Sequence, residues 1–247
     1  MKTVQMSIND IKIEVPDHFT VLQAAKEAGI IIPTLCYHED LCVAGNCRLC
    51  VVEQKGLRTL QASCTLKVAN GMNIYTNTKK VRDARKTILE LLFSEHSDNC
   101  ISCYKNGSCE LQKLAHEYMV VPERFIKTIK SFAVDSSSPS IIKDDSKCIK
   151  CTRCVRTCED LQGVSALYSA YKGEYTKITT FYELPLDDVI CTNCGQCINR
   201  CPTGALIERS YINEVWNAID NTQLHVVVQT APAVRVSISE ALGLEIG

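Results

Sequence analysis

The chain of 247 residues is short of aromatic side chains, which make up 6% of it and include one tryptophan, and neither sign of charge dominates. With 27 lysines and arginines against 28 aspartates and glutamates, it has no cationic surplus to hold a polyanion, so no nucleic acid is expected as a partner. No apolar run reaches the ~18–20 residues that span a bilayer. The most apolar late stretch, residues 224–236, is broken by Gln229, Pro232 and Arg235, so no transmembrane segment is expected. Residues 1–10 hold no apolar stretch ahead of a small-residue cleavage site, and a reducing, cytoplasmic setting is the expectation. Neither a G-x-G-x-x-G after a strand-like run nor a phosphate loop occurs, so nucleotide chemistry should fall to another protein. Few aromatics leave less apolar surface to bury, and part of the stability should come from metal ligation, which couples ligand binding to folding.

What the chain has instead is sixteen cysteines. They form four groups, Cys36/Cys47/Cys50/Cys64, Cys100/Cys103/Cys109, Cys148/Cys151/Cys154/Cys158 and Cys191/Cys194/Cys197/Cys201, with Cys42 inside the first. A disulfide scaffold would be small and secreted, which does not suit this chain. The last two groups both read C-x-x-C-x-x-C-x-x-x-C, and Pro202 follows the second. Cysteines at such spacing converge from one loop while backbone amides face their sulfurs. Zinc also accepts C-x-x-C pairs, but it closes with four ligands and leaves the third cysteine of each repeat without a use. The spacing resembles that of bacterial ferredoxins holding two [4Fe-4S] clusters, in which the last cysteine of each motif crosses to the other cluster. That resemblance groups Cys148, Cys151 and Cys154 with Cys201, and Cys191, Cys194 and Cys197 with Cys158.

Spacing alone leaves the first two groups open. Cys36 and Cys42 compete to be the first ligand beside Cys47, Cys50 and Cys64, and Cys42 makes the plant-type start four residues before the C-x-x-C pair. A plant-type site wants its last cysteine far downstream, and none lies between Cys64 and Cys100. The second group supplies three thiolates, and His96 stands four residues before Cys100. A histidine at a helix end also caps carbonyls or faces solvent.

The local pattern predicts a mixed α+β chain. Val4, Met6 and Ile8 alternate, Asn9-Asp10 turns, and Ile11, Ile13 and Val15 alternate again, which is a hairpin. Thr20 and Gln23 form a capping box ahead of a helix over Val21, Leu22, Ala25 and Ala28, which Gly29 can end. Further strands are expected at residues 50–53 and 72–75. From Lys79 a helix runs to about Phe93 with Val81, Ala84, Ile88 and Leu91 on its inner side. A second covers 109–119, capped by Ser108, with Leu111, Leu114, Ala115 and Tyr118 facing inward. Residues 131–140 read as a linker, and 148–206 as an internal repeat of approximate two-fold symmetry with a strand-like insertion near 175–182.

The motifs Thr34-Leu35-Cys36-Tyr37-His38, Val43-Ala44-Gly45-Asn46-Cys47-Arg48-Leu49-Cys50-Val51-Val52-Glu53 and Ala62-Ser63-Cys64 resemble the [2Fe-2S] domain shared by the large iron-sulfur subunit of respiratory complex I and the accessory region of [FeFe]-hydrogenases. His96-Ser97-Asp98-Asn99-Cys100, with Cys103 and Cys109, is similar to the His/Cys-ligated [4Fe-4S] motif of the same proteins. The resemblance implies a β-grasp [2Fe-2S] ferredoxin domain over 1–78 with ligands Cys36, Cys47, Cys50 and Cys64, leaving Cys42 a buried or shielded free thiol. It implies a small helical [4Fe-4S] domain over 79–130 with ligands His96, Cys100, Cys103 and Cys109, where a neutral imidazole should raise the potential. A linker at 131–140 and a two-[4Fe-4S] ferredoxin domain over 141–212 come next. His225-Val226-Val227-Val228-Gln229-Thr230-Ala231-Pro232-Ala233-Val234-Arg235-Val236, within 213–247, resembles the opening of a hydrogenase catalytic domain, whose later cysteine motifs have no counterpart here.

One [2Fe-2S] and three [4Fe-4S] clusters, with no catalytic residue of its own, make the chain an expected electron-wiring subunit of an NAD(P)-linked hydrogenase or formate dehydrogenase complex, with electron bifurcation as one mode of coupling open to it. The expected partners are a flavoprotein NAD(P)H-oxidoreductase subunit, a small [2Fe-2S] subunit, a catalytic hydrogenase or formate dehydrogenase subunit and soluble ferredoxin. A free-standing polyferredoxin-like carrier, the front part of an [FeFe]-hydrogenase and a zinc-binding interaction protein are the alternatives. His18, His38, His116 and His225 have no such company and read as ordinary structural or surface residues.

Overall fold

The computed structural model describes residues 2–97, 99–121, 124–127 and 133–245, which divide into two units, one ending at Arg209 and one beginning at Ser210. The first strands, β1 (Thr3–Ile8) and β2 (Ile11–Pro16), are joined by Asn9 and Asp10 at φ 49° and 66°. Two left-handed residues make the turn whose twist suits a two-residue hairpin. Asn9 closes it by exchanging two side-chain hydrogen bonds with Thr76, at 2.8 and 2.9 Å. α1 (Val21–Glu27) begins with the expected Thr20–Gln23 capping box, and Gly29 at φ 70° follows its end.

β3 (Val51–Gln54), β4 (Gln61–Ala62) and β5 (Asn73–Tyr75) complete a five-stranded sheet in the order β2-β1-β5-β3-β4, with β1 and β5 parallel and the other neighbours antiparallel. β4 is too short to show a period of two in the sequence. Val4, Met6, Ile8, Val52 and Ile74 from the sheet pack with Val21, Leu22, Ala24 and Ala25 from α1, so this module has its own core.

α2 (Lys79–Ser94) and α3 (Glu110–Glu117) come next. Two details differ from the sequence pattern. The buried stripe of α2 is Val81, Arg85, Leu89 and Phe93, and Leu91 is 48% exposed. A charged residue sits in the true i, i+4 series: Arg85 donates to the carbonyl of Val51 at 2.8 Å and the hydroxyl of Tyr118 at 3.1 Å, so the apolar period points to the wrong side. α3 is capped by Cys109 without a side-chain bond, because Ser108 turns its hydroxyl to the Lys105 carbonyl at 3.3 Å. Leu89, Phe93, Leu111 and Leu114 then meet Leu35 and Leu49 from the first module, so one core bridges the two.

The remaining elements of this unit are β6 (Ile141–Lys143), α4 (Arg153–Arg156), β7 (Tyr168–Ala170), β8 (Lys177–Thr179), α5 (Gln196–Arg200) and β9 (Leu206–Glu208). β6 pairs antiparallel with β9 and β7 with β8, while α4 packs on α5. Residues 131 and 132 of the serine-rich stretch lie outside the described residues. The stretch 133–140 is bound to elements farther along the chain: Asp135 and Lys143 exchange backbone bonds at 2.9 Å, and buried Ser138 donates to Asn193 at 2.7 Å. The second unit holds α6 (Ile212–Asp220) and α7 (Pro232–Leu242), the latter ended by Gly243 at φ 65°. Among the described residues no helix is long and apolar enough to cross a membrane.

The shared core predicts that Leu89→Ala, which opens a fully buried position, destabilises the loaded protein by ~2–5 kcal/mol in denaturant unfolding. Leu91→Ala should stay within about 0.5 kcal/mol. Equal costs at the two positions would contradict the assigned helix face.

Candidate metal centres

The first centre is built on the long loop between α1 and β3. Cys36, Cys50 and Cys64 are buried and Cys47 half-buried. Cys47 donates to Cys36, which holds the Cys36 thiol below the usual range and Cys47 above it, and Cys64 stands in the same relation to Cys50. Backbone amides of Cys47 and Asn46 face the Cys36 sulfur, and those of Leu49 and Leu35 face Cys47. Turning these amides inward needs left-handed backbone at Gly45 and Arg48, φ 67° and 58°. A Cβ at Gly45 would also meet the Thr65 methyl at 3.3 Å. Cys42 is exposed rather than buried as expected, because its thiol turns outward to donate to Asp160 at 3.0 Å, a bond that raises its pKa. The structure thus brings Cys36, Cys47, Cys50 and Cys64 together and turns Cys42 toward Asp160.

The second centre lies between α2 and α3. His96 is buried just past α2 with its ring edge-on to Phe93, the centroids 5.9 Å apart. The neighbouring Ser97 amide donates to the Ser146 carbonyl at 2.9 Å, which ties this turn to the next module. Asp98 of the motif lies outside the described residues. Cys100, Cys103 and Cys109 are half-buried and lie within one another's electrostatic reach. Burial pushes the Cys109 thiol up, against amides of Gln112 and Leu111 at the start of α3 that favour its thiolate.

Gly204 is a residue that the pattern of cysteines does not reveal. A Cβ there would stand 2.7 Å from the Cys103 sulfur, so only glycine lets the loop after Cys201 approach the second centre. The Glu110 amide donates to the Pro202 carbonyl at 2.9 Å across the same seam. The single available signal was the run Cys201-Pro202-Thr203-Gly204, and it names no neighbour.

The last two centres are small cavities. One is lined by Cys148, Cys151, Cys154 and Cys201, and the other by Cys158, Cys191, Cys194 and Cys197. Each cavity therefore takes its fourth thiol from the opposite repeat, because α4 and α5 carry the chain across before Cys158 and Cys201 are reached. The repeat extends to the backbone. Lys150 and Asn193 occupy matching positions at φ 56°, as do Thr152 and Gly195 at 60° and 70°. These bends aim amides at sulfur: Lys150 donates to Cys148 at 3.4 Å, Asn193 to Cys191, and Arg153 to Cys151. Left-handed non-glycine residues cost of order 1 kcal/mol each, and such strain gathers at functional sites.

Burial raises Cys148 to about 11 and Cys151 and Cys197 to about 12, so thiolate ligands there form only as a cation replaces the protons. Among the described residues no three His, Cys, Asp or Glu side chains close on a point that one metal ion would fill. Four thiols with amides directed at them suit an iron-sulfur core.

Iron-sulfur electron transfer is the class of chemistry that this arrangement serves. Residues 1–79 match the 2Fe-2S iron-sulfur cluster binding domain, 85–124 the NADH-ubiquinone oxidoreductase-G iron-sulfur binding region, and 138–207 the ferredoxin-like domain of NADH-quinone oxidoreductase subunit 3. The NADP-reducing hydrogenase subunit HndD of Solidesulfovibrio fructosivorans is 42% identical over 100% of this chain and 43% of its own length. An NADH-quinone oxidoreductase subunit of Rickettsia felis is 37% identical over 84% of this chain and 31% of its own length. The crystal structure of an NAD+-reducing [NiFe]-hydrogenase in the H2-reduced state superposes with a TM-score of 0.78 at 32% identity, covering 84% of this chain and 88% of that one. The chain belongs to the family of iron-sulfur subunits found in NAD(P)-linked hydrogenases and NADH-quinone oxidoreductases. It spans less than half the length of these two curated relatives.

Crossed ligation predicts how serine variants pair. Cys201→Ser should lose ~4 iron atoms per chain and reproduce the paramagnetic resonance spectrum of Cys148→Ser, and Cys158→Ser should reproduce that of Cys191→Ser. Pairing within each motif instead would refute the crossing. Cys42→Ser should leave the [2Fe-2S] signal in place, and its loss would make Cys42 a ligand.

Proposed function

We propose that this chain is the electron-wiring part of a cytoplasmic NAD(P)-linked oxidoreductase complex of the hydrogenase or formate dehydrogenase type. The observation that carries the reading is the packing of all four centres into one unit, with the second centre separated from the Cys201 loop only by Gly204. Cys36, Cys47, Cys50 and Cys64, on a sheet of β-grasp type, would hold a [2Fe-2S] cluster. His96, Cys100, Cys103 and Cys109 would hold a [4Fe-4S] cluster, and the two crossed quartets one each. Bound clusters would supply one-electron redox chemistry.

The chain's own part is to hold sulfur out of water, to direct amides at it and to keep the centres close. Inward amides stabilise added negative charge and so favour reduction, while burial opposes it. An imidazole at His96 in place of a fourth thiolate makes that centre less negative and easier to reduce. No proton has to move for a single electron to pass between two such centres.

Hydride chemistry on NAD(P)H is then the work of a flavoprotein subunit, with a small [2Fe-2S] subunit beside it. A catalytic domain, on the same or another polypeptide, and soluble ferredoxin are the other electron partners. Soluble ferredoxin as a second acceptor beside NAD(P) would make the complex electron-bifurcating.

Anaerobic purification from native cells should yield about 14 iron atoms per chain and a copurifying flavoprotein. A colourless zinc protein, or a lone monomer at native concentration, would count against the assignment. His96→Cys should keep that [4Fe-4S] cluster at a lower potential, and His96→Ala should lose or alter it. An unchanged resonance spectrum in both variants would remove His96 from the ligand set.

A further inference from the structure

The helix α4 carries two arginines where the second repeat carries none. Arg153 and Arg156 occupy the repeat positions of Gln196 and Asn199, so the crossed cysteine geometry by itself does not require a cation at either place. Both arginines are nonetheless buried, at 4% and 7% exposure. Arg153 has an evident counter-charge: its guanidinium forks onto Glu110 at 2.7 and 3.0 Å, beside Cys109.

Arg156 is different. It donates to the carbonyls of Cys36 at 2.6 Å, of Cys151 at 3.4 Å and of Cys42. Among the described residues it forms no ion pair with a carboxylate, and beyond these carbonyls its polar company is the sulfurs of Cys42 and Cys36. An uncompensated buried cation is expensive, and its place between two sulfur-lined centres identifies what could offset it. Cys36 lines the first centre and Cys151 lines the cavity closed by Cys201. One planar group therefore grips the backbone of a ligand from each. Around this grip, Asn46 donates to Thr152 at 3.1 Å and Arg200 pairs with Asp40 at 3.2 Å, so the loop 36–46 is seated on the repeat.

We propose that Arg156 is a positioning residue for electron transfer between these two centres. Its fork sets the separation of the Cys36 loop and the Cys151 loop, and its charge favours the electron on either side of it. Tunnelling falls steeply with distance, so a clamp on both ligand backbones governs the rate more directly than general domain packing does. This rests on the reading of both centres as clusters, and the two claims fail separately.

The test uses the full chain with clusters assembled, as wild type, Arg156→Gln and Arg156→Lys. Iron and sulfide content, the midpoint potential of the [2Fe-2S] signal and the low-temperature spin–spin broadening between the reduced centres are measured. Wild type should show both signals with mutual broadening; a wild type without a [2Fe-2S] signal defeats the reading of the site itself. Arg156→Gln at full iron content should titrate at a lower potential and lose the broadening. Arg156→Lys should recover much of the potential but not the broadening, because an ammonium cannot bridge three carbonyls as a fork does. Wild-type potential and broadening in Arg156→Gln overturn the proposal. If that variant does not load, Arg156→Lys decides: unchanged broadening overturns the clamp, and its loss at full iron content supports it.

Discussion

Sulfur that must bear negative charge while shielded from water is the constraint around which this molecule is arranged. A buried thiol prefers to keep its proton, as the raised pKa values of Cys148, Cys151 and Cys197 show. The chain answers with backbone amides, and outside a helix N-terminus it turns consecutive amides to one side by visiting the left-handed region. Arg48, Lys150, Thr152 and Asn193 are bent in this way although none is glycine. The irregular loops are thus the cost of charge stabilisation, and the regular elements exist to hold their ends.

That division explains the small, locally closed cores. The sheet and α1 bury one set of side chains, while the strand pairs β6–β9 and β7–β8 with α4 and α5 bury another that includes Cys154 and Cys197. Between them, Leu35 and Leu49 from the first cysteine loop pack on Leu89, Leu111 and Leu114. The residues that flank the ligands therefore also make the contacts between modules. A shift in one module is carried to the next centre, which suits a chain whose task depends on distances between centres.

Much of this was legible in the sequence for identifiable reasons. The first hairpin, its Asn-Asp turn and the capping box of α1 follow local rules that act within a few residues, and they appear in the fold as expected. The cysteine spacings pointed to iron-sulfur chemistry because ligands that share a loop must be close in sequence. Where the signal was local but mixed, it misled: Arg85 within the buried stripe of α2 shifted the expected inner face onto Leu91, and Ser108 resembled a cap that Cys109 provides. Short β4 and the bonds that hold residues 133–140 to β6 and Asn193 depend on partners far along the chain, which no window of sequence contains.

The sequence by itself determined the kind of protein: sixteen cysteines in repeated spacings, with no dominant charge, no nucleotide loop and no long apolar run, leave electron transfer as the coherent reading. Tertiary structure alone decided which parts touch. That Gly204 makes room for the Cys103 sulfur, that Arg153 reaches Glu110, and that Arg156 spans Cys36 and Cys151 are contacts between residues up to 120 positions apart. Ligand spacing is a local matter because a cluster is small. The separation between centres is set by contacts between modules, and that geometry is written only in the folded chain.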